Sequence, residues 1–293
     1  MILIKPMNPQ GLEMFRNTTL LPLIKNENGQ VKNGIKIIGF VFLLVVALLL
    51  TALLPLPKSL EAFTLIAAVL VVTWICLRLE KEPFPSIGLN FTPGFLIETL
   101  LGTLFGILLI LLSALSIKAF GGFTWIRNPQ VNLNTLFYAL GQFLLVSLFE
   151  ELLFRGYAFQ RAVRGLGKTN ALMLFGLFFV VAHWSNPGMA GSAKVWASLN
   201  IGLASVLLGL AWIKTESLAL PIGIHLGWNW AQGSLLGFGV SGHTSQGFWT
   251  PLFNDLPQWF TGGDFGLEAS LPGAIVCLIA CIGLVFWKQK QSA

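Results

Sequence analysis

The chain has 293 residues, of which 55% are hydrophobic and 10% charged, with a formal net charge of +6 and a mean hydropathy of +0.77. Soluble domains carry about a quarter of charged residues, so these values exclude an ordinary soluble enzyme and indicate one all-α polytopic membrane domain. The lysines and arginines are scattered between apolar segments rather than gathered into a stripe, which speaks against nucleic acid as a partner.

In chain order, residues 1–33 read as a polar cytoplasmic arm, 34–288 as a single transmembrane domain and 289–293 as a short cytoplasmic tail. The arm has no short apolar core followed by a small-residue cleavage site, so the first helix is expected to remain as an anchor. A hydrocarbon layer about 30 Å thick takes roughly 20 apolar residues per crossing. Spans are predicted near Ile35–Leu54, Leu60–Leu79, Gly94–Ile117, Leu136–Arg161, Asn170–Trp184, Val195–Ile213, Leu218–Leu236 and Leu271–Trp287, about eight helices in a conical or bundle-like arrangement around a polar cavity. Cys76, Cys277 and Cys281 all fall inside these helices and form no spaced set, so they read as packing residues.

Basic residues are retained on the cytoplasmic side. With the N-terminus inside, the cytoplasmic set is Lys5, Arg16, Lys25, Lys32, Lys36, Arg78, Lys81, Arg155, Arg161, Arg164, Lys168, Lys214, Lys288 and Lys290, against Lys58, Lys118, Arg127 and Lys194 on the other face. That bias places both termini in the cytoplasm. The segment from Gly237 to Ser270 has no Lys or Arg and is rich in Gly, Trp, Phe and Pro, as suits an external loop at headgroup level.

Ionisable residues inside an apolar helix cost several kcal/mol unless paired or wet. Glu61 and Glu98 lie near helix starts, where the helix dipole accounts for them. Glu150 and Glu151 lie inside the predicted fourth span. Glu151 and Arg155 are i,i+4 partners able to form an ion pair, whereas Glu150 is about 100° round the helix and has no such partner. Two later helices carry Phe179-x3-His183 and His225-x3-Asn229. His225 and Asn229 share one helical face, while Gly223 and Gly227 offer a small-residue face about 200° away for close packing. Counting residues from the helix turns places Glu150, His183, His225 and Asn229 at one depth, some 15 to 20 Å from the cytoplasmic end at 1.5 Å per residue.

Glu150-Glu151-x3-Arg155, Phe179-x3-His183 and His225-x3-Asn229 together resemble the three motifs of the CAAX prenyl endopeptidase and bacteriocin-processing family of intramembrane proteases, in the family's order. Gly262-Gly263-Asp264-Phe265-Gly266-Leu267-Glu268 also resembles a Gly-rich loop of bacterial members. The resemblance implies an intramembrane endopeptidase of a bacterial plasma membrane, acting on a membrane-embedded or lipidated peptide. Glu150 would take a proton from water and His183 would hold that water, while His225 and Asn229 would stabilise the oxyanion. Glu151, Arg155 and Phe179 would support them. A zinc ion held by Glu150, His183 and His225, with water as fourth ligand, stays open as an alternative. So do two other readings of the same cluster: a proton relay or transporter site, and a non-catalytic immunity or scaffold protein.

Overall fold

The computed structural model describes residues 24–26, 29–55 and 57–287. Most of the expected arm and all of the expected tail, with Lys5, Arg16, Lys288 and Lys290, lie outside the described residues.

The described chain is mostly helical, with one small two-stranded antiparallel sheet. Helix α1 (Asn33–Ala52) leads through a 3-10 turn to α2 (Glu61–Glu80), then α3 (Pro93–Ala119), strand β1 (Phe123–Arg127), α4 (Leu133–Phe154), α5 (Tyr157–Leu166), α6 (Lys168–Ala182), α7 (Gly191–Thr215) and α8 (Ala219–Trp230). A π turn (Ala231–Leu235), strand β2 (Trp249–Phe253), a one-turn helix α9 (Gln258–Thr261) and α10 (Leu271–Phe286) follow. Local chemistry sets several starts. The Thr92, Asn132 and Ser270 side chains accept from Phe95 N, Thr135 N and Gly273 N at 3.2, 3.1 and 3.0 Å, and Pro93 and Pro272 occupy first-turn positions where no amide is needed.

Five helical stretches, 33–52, 58–80, 93–119, 133–166 and 191–215, are long and apolar enough to cross a membrane, so the chain is an integral membrane protein of the polytopic helical class. The other three of the expected spans are shorter. Helices α6 and α10 have 15 and 16 residues, and the 12-residue α8 is buried along nearly its whole length rather than turned to lipid.

The expected fourth span, Leu136–Arg161, is two helices. The chain leaves helical geometry at Arg155 and Gly156, where a Cβ on Gly156 would collide with the Leu152 carbonyl. The Gln160 side chain covers the freed end by donating to Arg155 O at 3.2 Å and to Ile87 O at 2.9 Å. This break turns the Arg155 guanidinium inward and makes α5 a separate amphipathic element against α1 and α6.

The glycine face expected on α8 packs on a matching pair in α3. A Cβ on Gly102 would stand 3.1 Å from Gly223 Cα, and one on Gly223 would stand 3.0 Å from Gly102 Cα; Gly106 and Gly227 repeat the approach one turn along. Backbones this close hold α8 rigidly by van der Waals contact, and its opposite face carries His225 and Asn229 towards α4. The segment after α8 folds back as a roof over the cavity. β2 pairs antiparallel with β1, Phe123 opposite Phe253 and Arg127 opposite Trp249, and Trp125 Nε1 donates to Leu236 O at 3.1 Å.

Candidate active site

The two carboxylates of α4 have separate environments. Glu151 is fully buried and its Oε1 receives two donors, Arg155 Nη1 at 3.2 Å and His225 Nδ1 at 2.8 Å. Arg155 is 1% exposed and also donates to Ser205 O at 3.0 Å and Ser205 Oγ at 2.9 Å. The i,i+4 pair anticipated from spacing is therefore present, and it reaches across to α7 and α8. Glu150 forms no such pair on its own helix; its Oε2 is buried without a hydrogen-bond partner and stands 3.8 Å from His225 Nε2.

Both histidine rings are fixed by one nitrogen. His183 Nδ1 lies 2.7 Å from Phe179 O. A carbonyl only accepts, so Nδ1 carries the proton and a neutral His183 leaves Nε2 as an acceptor. For His225 the carboxylate of Glu151 likewise places a proton on Nδ1, and Nε2 faces Glu150. Phe179 is buried among them, its ring centroid 4.6 Å from His183, 6.4 Å from His225 and 4.9 Å from Phe154, with the Arg155 guanidinium 4.8 Å over it.

Glu150, His183, His225 and Asn229 line one cavity of about 590 Å³. The four residues come from three separate elements, and the shared depth expected from spacing is joined here by a shared facing. Apolar side chains of α4, α7 and α8, among them Phe149, Leu208 and Trp228, complete most of the wall.

Sequence reasoning missed part of the lining. Asn186, Ser241, His243 and Thr244 reach the cavity from two loops, and Glu268 reaches it from the turn before α10. Glu268 is 6% exposed; it accepts from the Gln232 side-chain amide and from Ser241 N at 3.3 Å. Burial pushes its carboxyl up to about 7, against these hydrogen bonds, which pull it down. The signal for Glu268 was in the sequence as a lone acid directly before an apolar run; His243 had none beyond being a histidine in a loop without Lys or Arg.

Zinc would require three ligands to converge. Among the described residues, no group of three or more His, Cys, Asp or Glu side chains is placed to hold a metal ion. Both imidazoles are held through Nδ1 and leave Nε2 free, an orientation that metal ligands also use, but Glu150, His183 and His225 do not come together as a ligand group, and no step below is routed through a metal.

Residues 132–231 match the family described as Type II CAAX prenyl endopeptidase Rce1-like, the family that the three motifs resemble. The matched stretch contains Glu150, Glu151, Arg155, Phe179, His183, His225 and Asn229 and stops short of Gln232, His243 and Glu268. The family's activity is that of a peptide-bond hydrolase. No match is found among curated proteins.

Proposed function

We propose that the chain is an intramembrane endopeptidase that hydrolyses a peptide bond in a membrane-anchored or lipidated peptide, in a bacterial plasma membrane with both termini in the cytoplasm. The observation that carries this reading is the convergence of Glu150, His183, His225 and Asn229 on one largely apolar cavity, with each imidazole held by a partner on its far nitrogen.

The chemistry follows from donors and acceptors. A water between Glu150 and His183 finds two acceptors, the carboxylate and His183 Nε2, so both of its protons are engaged and a lone pair is free to attack. As the water oxygen bonds to the carbonyl carbon, Glu150 takes the proton. The carbonyl oxygen becomes an oxyanion, stabilised by N–H donors fixed beforehand: the Asn229 amide and, with the ring protonated on both nitrogens, His225 Nε2. That protonated form leaves the buried cluster balanced, with Glu150 and Glu151 negative and Arg155 and His225 positive. Collapse of the tetrahedral intermediate breaks the C–N bond as Glu150 returns its proton to the departing amine. The products are a carboxylic acid and an amine, with no acyl-enzyme.

Purified protein in vesicles, offered a library of membrane-anchored and lipidated peptides and read by mass spectrometry, tests the proposal. Glu150→Ala and His183→Ala should each reduce cleavage by about 10²-fold or more. Wild-type-like cleavage by folded Glu150→Ala protein would reject the mechanism.

A further inference from the structure

The two ends of the bundle differ in charge, in aromatic content and in access to the site. One end is made of the segment before α1, the α2–α3 loop, α5, and the turns after α5 and α7. Of the fourteen basic residues assigned to it by sequence, four lie outside the described residues and Arg155 is buried at the site. The remaining nine are Lys25, Lys32, Lys36, Arg78, Lys81, Arg161, Arg164, Lys168 and Lys214. The opposite end, made of the α1–α2, α3–α4 and α6–α7 connections and the roof after α8, has only Lys58, Lys118, Arg127 and Lys194. Three of those four lie over aromatic rings: Lys118 over Trp125 at 4.7 Å, Arg127 over Phe248 at 3.6 Å and Lys194 over Trp184 at 4.7 Å. Cations retained on the cytoplasmic side are the usual mark of membrane orientation, and they make the nine-cation end cytoplasmic.

The cavity communicates with the other end. Its loop-borne lining, Asn186, Ser241, His243, Thr244, Ser245 and Glu268, comes entirely from the α6–α7 connection and the roof, and His243 and Thr244 are exposed. Towards the basic end the cavity is closed. Phe154 and Phe179 meet edge to face at 4.9 Å, Arg155 lies against Phe179 and is tied to Ser205, and below them Tyr157, Phe159 and Phe175 are buried. Arg161 then bridges Glu80 at 3.2 Å and Glu82 at 2.9 Å, sealing α5 to α2.

We infer that the site is reached from the non-cytoplasmic side, and that its substrate is a peptide segment presented at the outer leaflet, an exported or outward-anchored chain, rather than a lipidated tail in the cytoplasm. The substrate part of this inference rests on the endopeptidase reading; the sidedness of the cavity does not.

Two measurements test it. Single cysteines at the mouth (Thr244→Cys) and at the basic end (Lys168→Cys, exposed) are probed in intact cells with a membrane-impermeant maleimide. Cys76, Cys277 and Cys281 are buried and set the background. Thr244→Cys should label in intact cells, and Lys168→Cys only after permeabilisation. The opposite pattern overturns the inference. In sealed vesicles sorted by orientation, a 20-residue peptide with a palmitoyl anchor, added outside, should be cleaved at least tenfold faster where the roof faces out. Faster cleavage where Lys168 faces out also overturns it. Absence of cleavage in both orientations and in detergent, with the labelling as expected, instead removes the endopeptidase reading and leaves the sidedness standing.

Discussion

The ionic cluster at the basic end and the one in the cavity use the same residue types, and they differ in what they leave unpaired. At the basic end Glu80 receives Lys36, Tyr157 and Arg161, and Glu82 receives Arg161, Arg164 and Ser86, so every carboxylate oxygen has a donor. Burial alone would raise the Glu82 carboxyl, but the Arg164 hydrogen bond and the Arg161 charge hold it below its usual range. At the site, Glu151 Oε1 has two donors, while Glu151 Oε2, Glu150 Oε2 and the nearby Ser147 Oγ have no partner among the described residues, and of these three residues Glu150 lines the cavity. A saturated network joins helices; one with free acceptors facing a cavity retains capacity for a ligand's protons.

The largest effect should come from breaking the saturated cluster. Arg161 is 1% exposed, and Arg161→Ala leaves the half-buried Glu80 and Glu82 with fewer cations. Removing one partner of a fully buried pair costs about 3–5 kcal/mol; here the acids are half-buried and keep Lys36 and Arg164, so thermal unfolding in detergent should show a clear loss that stays below that figure. Glu150→Ala breaks no hydrogen bond among the described residues and loses only the 3.8 Å contact with His225, so it should melt closer to wild type than Arg161→Ala while losing cleavage. Equal melting temperatures for Arg161→Ala and wild type would erase the distinction between the clusters.

That distinction was only half legible in the sequence. The cavity residues could be read because the paired residues of each motif stand at i,i+4, and because an acid inside a long apolar run has no local excuse. The basic-end cluster could not, since Glu80 and Glu82 are about 80 positions from Arg161 and no periodicity links them. Nor could the break after α4, because apolar residues continue on both sides of Gly156 and its effect comes from contact with the Leu152 carbonyl. Glu151 was read as a partner of Arg155 alone; its bond to His225 depends on how α8 is rotated by the glycine contacts with α3. The roof residues Ser241, His243 and Glu268 belong to irregular backbone, where spacing carries no facing information.

The next effect in size separates catalysis from packing within the cavity. Asn229 is 9% exposed and its side chain has no hydrogen bond among the described residues, so it contributes little to the bundle and is available to an oxyanion. Asn229→Ala should lower kcat by about 10²–10³, as expected for loss of one oxyanion donor, with KM and melting temperature little changed. A fall in melting temperature with kcat intact would move Asn229 from the reactive group to the saturated one.

The smallest effect concerns Glu268, which stands between the two behaviours: its oxygens have donors, yet it faces the cavity. Its carboxyl is pushed up by burial to about 7 from an ordinary 4.5, so the folded state favours the neutral form. A group raised in this way contributes stability that is fully present below the unfolded value near 4.5 and is lost as pH rises through about 7. The shift corresponds to about 3.5 kcal/mol at most, taking roughly 1.4 kcal/mol per unit, and any relaxation of the roof reduces it. Glu268→Gln keeps a neutral side chain of the same shape at all pH values. Wild type should therefore lose melting temperature between pH 5 and pH 8 relative to Glu268→Gln, the two curves converging at the acid end. Curves that stay parallel across that window would mean that Glu268 ionises with as little cost folded as unfolded, and that the roof gives its carboxylate the saturation seen at the basic end.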